Sequence, residues 1–569
     1  MSETRPPWAL STTVASTSDA FPPILPSPGG APPKSGRVWP VRRSRPAPLP
    51  YWPFAALIIA LGVLLRVRQW WFARSFWGDE LYVVHNLRDR GYLDLLEPLA
   101  FSQTAPPGWL WLERLSLQLF GASEHSLRLV PLLFGLALLP LVGYIGRRLM
   151  PAPSALAALL LVAIAPFLVG YSNELKQYSA DAFCVTLLVG IALLLSRREL
   201  TWRGGVVFWS TSLAVLVLST LAIPVVGALT ALLVVHALAR PGRDREERLR
   251  ELVRFVAPAP AWVVVAVWVY VRLLGPGLSD PQLKAYWQGK SIYPAHPLSD
   301  VPATVDWIGA TYRTLATVPF VVWSVWVAVP LVVVGAVLCW RRLNPLAVFI
   351  LLAPLAVGLG GAALSIYPFN GRLALYAVPS WLMLAGFAVA SPRARQPVLG
   401  WVGWGAGAAL VVAVAVPQLA MDVVVTANPA RAFHQGGGAN VADYRSALRQ
   451  LSAELRPGDV VLATPVSWNA QAYYGPPPDG YVVPAEPAGC ARHPVSTLLA
   501  GRSRVWLFQA TDWDEPQNRD LIVRLGSGGA AVTERTFRGA RVVRFDLTGT
   551  ATVGDDVCLV PPPRGGGIR

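Results

Sequence analysis

The sequence predicts an α-helical polytopic membrane protein with about eleven transmembrane helices, followed by a small C-terminal α/β domain. Three observations predict this fold class. The 569 residues are 54% hydrophobic and only 14% charged, whereas roughly a quarter of the residues in a soluble domain are charged. The apolar residues form blocks of about 17 to 25 residues, which is the length that crosses a bilayer. After residue 421 the pattern changes to an amphipathic helix and short strands.

The positions of the arginines predict the topology. The formal net charge of +16 could suggest nucleic-acid binding, but the arginines stand in short groups between apolar blocks, as the positive-inside rule requires, and we expect no nucleic-acid partner. With a cytoplasmic N-terminus, every double-arginine group falls on the cytoplasmic side. These groups include Arg147-Arg148, Arg197-Arg198 and Arg341-Arg342.

The apolar blocks and the arginine groups divide the chain into four segments, which together predict a multi-pass protein of the cell membrane. They are a disordered, basic and Pro-rich cytoplasmic tail (1–50), a transmembrane domain (51–421) with a first outer loop (71–126), an extracytoplasmic soluble α/β domain (422–560) and a loose tail (561–569). In the soluble domain, Cys490 and Cys558 could form a disulfide, because an extracytoplasmic domain is in an oxidising compartment; the sequence leaves their pairing open.

Within the transmembrane domain, several segments have specific predictions. Residues 107–120 are too short to span a bilayer and carry two charges, which favours an interfacial helix. Residues 153–170 are predicted as one span, 204–239 as a tight hairpin turning near Ser219, and 275–316 as a long polar loop on the outer side.

Polar side chains that membrane burial does not explain cluster on the predicted outer face. Asp79 and Glu80 directly follow an aromatic stretch, and they are either solvated acids in an interfacial aromatic belt or carboxylates held as a catalytic base or metal ligand. Glu174, Lys176 and Tyr178 lie in a short link between two spans, either as a surface ion pair or as the wall of a polar pocket.

Arg372 is an arginine on the side where the positive-inside rule does not favour one. It follows Tyr367 in the segment IYPFNGRLALYAVP. It either reaches to lipid head groups or offers its fork of donors to a phosphate. The sequence contains no Walker-type loop, no GxGxxG after a strand and no His-x-x-x-His. Energy for a reaction must therefore come from a membrane-borne donor or from a gradient.

The order of these features resembles the GT-C class of glycosyltransferases that use polyprenyl-phosphate-linked sugars. The similarity is to bacterial relatives of protein O-mannosyltransferases and of lipid A aminoarabinose transferases. It covers most of residues 52–480. The segments that carry it are RVRQWWFARSFWGDELY, QTAPPGWLWLERLSLQLFGASEHSLRLVPLLFG, YSNELKQYSAD, YPFNGRLALYAVP and DYRSALRQLSAELRPGDVVL.

The resemblance implies a GT-C-like transmembrane fold and an inverting transfer of a hexose or pentose at the outer face of the bilayer. The donor would be a polyprenyl-phosphate-linked sugar, and the acceptor a glycan, a glycolipid or a protein. Asp79 matches the position of the general base, and Glu80 would orient the loop or the acceptor. Lys176 and Arg372 match cations beside the donor phosphate. Glu174, Tyr178, Gln103 and Tyr367 would line the substrate pocket.

One departure from the family pattern bears on cofactors. Many relatives carry a histidine just before the Pro-Pro, whereas this chain has Thr104-Ala105 before Pro106-Pro107. We therefore expect no cofactor and no required metal, with a divalent metal as the alternative, and Gln103 or Thr104 could supply the polar contact instead. Two other hypotheses stay open. The missing histidine is compatible with a catalytically diverged subunit of cell-envelope assembly. A transporter or lipid flippase would need charged or broken segments near the middle of the membrane, whereas the predicted spans are mostly uncharged.

The acceptor is not predicted by the sequence. Trp468, Tyr473 and Tyr474 in the C-terminal domain are either stacking surfaces for a sugar or core residues, and the core interpretation is favoured.

Overall fold

A computed structural model shows the fold. It describes residues 50–240, 244–275, 300–317, 325–390, 397–427, 442–463, 465–475, 481–482, 501–510, 522–523, 525–526 and 531–547. The predictions for residues 1–49 and 561–569, and for Cys490 and Cys558, lie outside these described residues.

Helices dominate the described chain. Those of the transmembrane region and the first outer loop are α1 (Tyr51–Trp71), α2 (Gly78–Asp89), α3 (Pro107–Phe120), α4 (Leu129–Leu149), α5 (Ala152–Ala163), α6 (Pro166–Tyr171), α7 (Tyr178–Leu195), α8 (Trp202–Leu216), α9 (Ala222–Ala239), α10 (Arg245–Val256), α11 (Ala259–Val269), α12 (Val301–Thr317), α13 (Val325–Arg342), α14 (Pro345–Ala363), α15 (Val378–Gly386) and α16 (Pro397–Ala427). A 3₁₀ segment, Gly371–Ala377, leads into α15.

The predicted fold class is confirmed: the chain is an α-helical polytopic membrane protein with a small sheet domain. Among the described residues, seven helical segments are long and apolar enough to cross a membrane, or eight if the pair α10 and Ala259–Leu273, bent by 46°, counts as one span. The count of about eleven stays a prediction. Pro258 and Pro260 explain the bend, because proline removes a helical hydrogen bond and clashes with the preceding turn.

Local chemistry explains where several predicted segments begin and end. The helix predicted at 107–120 is α3, which begins on Pro107 at its first turn and ends at Gly121, whose φ of 78° suits glycine. The hairpin predicted at 204–239 is present as α8 and α9 with a turn between them.

Two predictions need correction. Residues 153–170 are not one continuous helix, because the chain breaks between α5 and α6 at Ile164-Ala165. Proline at position 166 disfavours helical backbone in the residue before it, which accounts for the break. The segment predicted as the polar loop 275–316 contains α12 in its described part. That helix is amphipathic, and its apolar positions recur at helical spacing within a segment that is polar on average.

The C-terminal domain is an α/β unit. Its two helices are α17 (Tyr444–Glu454) and α18 (Pro465–Tyr474), and its strands are β1 (Val460–Ala463), β2 (Tyr481–Val482), β3 (Arg504–Gln509), β4 (Ala531–Phe537) and β5 (Ala540–Asp546). The sheet order is β2-β1-β3-β5-β4. Strand β1 pairs in parallel with β2 and β3, whereas β3–β5 and β4–β5 are antiparallel.

The C-terminal domain and the first outer loop share one apolar core. Phe76 and Trp109 of the outer loop belong to the same buried cluster as Tyr444, Trp506 and Phe508 of the domain. The helices of the membrane region form a second cluster. The outer loop is therefore packed between the membrane helices and the C-terminal domain.

Candidate active site

The start of helix α2 fixes the adjacent acids Asp79 and Glu80. Both lie in the first turn, where the partial positive charge of a helix N-terminus favours carboxylates. Glu80 occupies the third helical position, and its Oε2 accepts a hydrogen bond from the Trp77 amide at 3.3 Å. This is one half of a capping box, so the sequence WGDE itself determines where the helix begins.

Glu80 is completely buried in a network of donors. Arg128 donates from Nε to Oε1 at 2.8 Å and from Nη2 to Oε2 at 2.6 Å, and the Leu175 amide donates to Oε1 at 2.8 Å. Arg74 Nη1 lies 3.7 Å from Oε2. Burial alone would raise the pKa of Glu80, but Arg128 and Arg74 together lower it below its usual value. Glu80 is thus held as an anion that joins three segments of the chain, those of Arg74, Arg128 and Leu175.

Asp79 points away from that network. Its Oδ2 contacts Nη2 of Arg372 in an ion pair between residues 293 positions apart in the chain. About a quarter of the Asp79 side chain is exposed to solvent. One residue of helix rotation, about 100°, thus separates an accessible carboxylate from a buried one.

Arg372 sits in an aromatic frame with part of its guanidinium available. Its Cζ lies 5.2 Å from the ring centre of Trp77 and 5.8 Å from that of Tyr178, which are cation–π distances. Its Nε and Nη1 are buried and have no hydrogen-bond partner among the described residues. A buried guanidinium nitrogen without a partner is costly, so these two atoms mark a place for an anion.

The link before α7 brings two more of the predicted residues to the site. Lys176 Nζ donates to Oε1 of Gln103 at 2.6 Å. Burial lowers the pKa of Lys176, and the negative charge of Asp79 opposes that effect. Glu174 is buried beside Arg74, whose Nη2 lies 3.6 Å from its Oε2. Burial, followed by the charge of Glu80, raises the pKa of Glu174 to about 7.

Tyr367 and the Thr104 backbone have supporting contacts. Tyr367 donates its hydroxyl to the carbonyl of Leu373 at 2.8 Å, beside Arg372. The Thr104 carbonyl accepts from Nε2 of Gln177 at 3.3 Å. Among the described residues, no group of three or more His, Cys, Asp or Glu side chains comes together that could hold a metal ion.

The structure therefore brings Asp79, Lys176 and Arg372 together, with Gln103, Tyr178 and Glu174 around them. Sequence analysis missed Arg74 and Arg128, the partners of Glu80. A signal was available for both, since they are arginines on the predicted outer face, the same property that drew attention to Arg372. One carboxylate beside two cations, one of them with unused donors, can deprotonate a hydroxyl and bind an anionic leaving group.

Comparison with known proteins adds a family match over part of the chain. Residues 104–270 match the family described as Dolichyl-phosphate-mannose-protein mannosyltransferase. The predicted resemblance to GT-C glycosyltransferases is confirmed by this match, which includes Glu174, Lys176 and Tyr178. No curated protein matches the sequence.

Several solved structures have a similar chain path. ArnT from Cupriavidus metallidurans in the apo state is 14% identical, with a TM-score of 0.48, covering 87% of this chain and 97% of that chain. The same protein bound to undecaprenyl phosphate is 14% identical, with a TM-score of 0.47 and coverage of 88% and 98%. The Archaeoglobus fulgidus oligosaccharyltransferase in the apo form is 11% identical, with a TM-score of 0.44 and coverage of 81% and 70%.

Proposed function

We propose that this protein is a membrane glycosyltransferase that moves a sugar from a polyprenyl-phosphate carrier to an acceptor hydroxyl at the outer face of the cell membrane. The observation that carries the proposal is the convergence of Asp79, Lys176 and Arg372, in which buried nitrogens of Arg372 lack partners among the described residues. The family match over residues 104–270 supports the same class of reaction.

The chemistry is a single displacement. Asp79 takes the proton of the acceptor hydroxyl as its oxygen attacks the anomeric carbon, and the bond between that carbon and the phosphate oxygen breaks. The leaving group is the carrier phosphate, which gains negative charge as the bond breaks. Arg372 and Lys176 stabilise that charge, so they lower the barrier directly. Attack opposite the leaving group inverts the anomeric centre.

Glu80 has a positioning role in this mechanism. Its carboxylate is fully buried and already accepts from Arg128 and Leu175. It therefore fixes the start of α2, and through it the direction of Asp79. Gln103 has a similar role toward Lys176, since its side-chain oxygen orients the ammonium group.

The contact between Asp79 and Arg372 has a consequence for donor binding. A carboxylate beside the guanidinium repels the carrier phosphate and competes with it for the same donors. We expect replacement of Asp79 by Asn to abolish transfer while the carrier phosphate binds at least as tightly as it does to the unmodified protein. A positioned general base contributes about 10²–10⁴-fold, so turnover should fall by at least about 100-fold.

The experiment measures transfer and carrier binding separately in lipid nanodiscs. Transfer is followed with a radiolabelled polyprenyl-phosphate sugar and a membrane extract as acceptor, and binding is measured with polyprenyl phosphate alone. The matched control is Asp89→Asn, which removes an exposed carboxylate at the other end of α2 and should change neither quantity. Full transfer by Asp79→Asn would refute the assigned base, and an unmodified protein that binds no carrier phosphate would refute the proposed function.

A further inference from the structure

The loop between α1 and α2, which leads to Asp79, is held from outside the membrane region. Ser75 Oγ donates to the carbonyl of Ala442 at 2.5 Å. The Phe76 amide donates to the hydroxyl of Tyr474 at 2.7 Å. Both partners belong to the C-terminal domain, one just before α17 and the other at the end of α18. This domain thus reaches the backbone three residues before the proposed base.

A second set of contacts ties the same parts together. Arg445 of α17 donates from Nη2 to the carbonyl of Ala73 at 2.9 Å and from Nη1 to Oε1 of Glu124 at 3.0 Å. The hydroxyl of Tyr474 donates to the same Glu124 oxygen at 2.8 Å. Glu124 lies just after α3, and its side chain is largely buried. Its carboxylate therefore joins both side chains of the domain to the outer loop.

The backbone of this loop is strained where the domain holds it. Ala73 has φ of 47°, in the left-handed region that a residue with a β-carbon rarely adopts. Such a conformation persists where surrounding contacts determine it, and such sites often lie beside functional residues. Here the Ala73 carbonyl accepts from Arg445, so the domain contributes one of those contacts.

We infer that the C-terminal domain positions the loop that leads to Asp79, and that Tyr474 is the positioning residue through its bond to the Phe76 amide. The inference rests on the proposed function for the role of Asp79. Helix α2 begins at Gly78, two residues after Phe76. A shift of the Phe76 backbone therefore moves the first turn of α2, and with it the distance from Asp79 to Arg372 and the acceptor.

Tyr473 provides a matched control on the same helix. Its hydroxyl donates to the Ala122 carbonyl at 2.9 Å, and its ring packs edge-on against Phe76 at 5.5 Å between centres. Both tyrosines thus join α18 to the outer loop, but Tyr474 bonds the Phe76 amide. Replacing either tyrosine by Phe removes one hydroxyl and keeps the ring in place.

The test compares Tyr474→Phe with Tyr473→Phe in the full-length protein in nanodiscs. We expect Tyr474→Phe to lower kcat at least about tenfold, because displacement of a reacting group by about 1 Å can cost up to about 100-fold. The KM for the lipid-linked sugar donor should stay within about twofold. Amide hydrogen exchange in the peptide over residues 72–80 should become at least about tenfold faster. Tyr473→Phe should leave all three quantities within about twofold.

The transfer assay and the hydrogen-exchange measurement separate this inference from the proposed function. If the unmodified protein transfers no sugar, the proposed function fails, and the exchange measurement still tests whether Tyr474 holds the loop. Unchanged exchange in Tyr474→Phe would overturn the inference, as would unchanged kcat in an otherwise active protein. Arg445→Gln is the second variant should Tyr474→Phe fail to fold, and it should speed exchange in the same peptide because Ala73 and Glu124 lose their shared donor.

Discussion

Two sets of arginines at opposite ends of the helical bundle have opposite environments. At the end with the candidate site, Arg74, Arg128 and Arg372 are largely buried and each faces a carboxylate. At the other end, where α4 and α7 finish, the double-arginine groups at 147–148 and 197–198 are exposed. At one end of the bundle the arginines thus fit the positive-inside rule, and at the other end they pair with the carboxylates of the candidate site.

Solvation explains the difference. An exposed arginine keeps its water and needs no partner, so a run of arginines after a helix is tolerated wherever the membrane potential and lipid charge favour it. A buried arginine loses that water and is stable only when a carboxylate and further acceptors replace it. Arg128 meets this requirement with Glu80 and with the Arg74 and Ser75 carbonyls.

The largest expected effect comes from breaking the buried pair. Replacement of Arg128 by Met leaves the Glu80 carboxylate buried without its main partner, and such a change typically costs about 3–5 kcal/mol. The free energy of unfolding, measured by denaturant titration in detergent, should fall by that amount. The control is Arg148→Met at the exposed end, which should change it by less than about 1 kcal/mol. If both variants lowered the free energy of unfolding equally, the arginines at the two ends would not differ in burial and pairing as described.

An intermediate effect is expected from Glu174, whose carboxyl is buried next to Arg74. Its pKa of about 7 lies above the ordinary value of 4.5. The folded state therefore keeps a proton that the unfolded state releases, so stability is full below pH 4.5 and declines as the pH rises to about 7. Glu174→Gln keeps a neutral side chain at every pH, and this variant should lack that part of the decline, about 1–3 kcal/mol.

The measurement is the difference in unfolding free energy between Glu174→Gln and the unmodified protein at pH 5 and pH 8. Relative to the unmodified protein, the variant should be more stable at pH 8 than at pH 5. The exposed Glu97, which pairs with Arg272 at the surface, provides the control variant Glu97→Gln. A pH-independent difference for Glu174→Gln would show that this carboxyl is already ionised at pH 5.

These contrasts also show what the sequence could predict. Apolar block lengths and arginine groups predicted most helix positions, because both signals are local. The amphipathic helix α12 was missed, because its periodicity lies in a segment whose average polarity suggested a loop. The break before Pro166 was visible as a local signal, since proline restricts the residue that precedes it.

The sequence predicted only part of the candidate site. Asp79, Lys176 and Arg372 could be named from their residue types and side of the membrane, but the ion pair between Asp79 and Arg372 joins segments far apart in the chain. The sequence could not predict either that Asp79 is accessible whereas Glu80 is buried. This difference depends on the rotational setting of α2 and on Arg128, which approaches from a different helix end.

The smallest effect is expected from an ion pair on the exposed side. Glu246 and Arg250 lie one turn apart on α10 at 2.8 Å, and both side chains are mostly solvent-exposed. Such pairs contribute about 0.3–0.5 kcal/mol, because water and salt screen them. Arg250→Gln should therefore change the unfolding free energy by no more than about 0.5 kcal/mol, and the change should vanish in 1 M salt. A loss comparable to that of Arg128→Met would show that α10 is held by its charges, and the contrast between the two ends would fail.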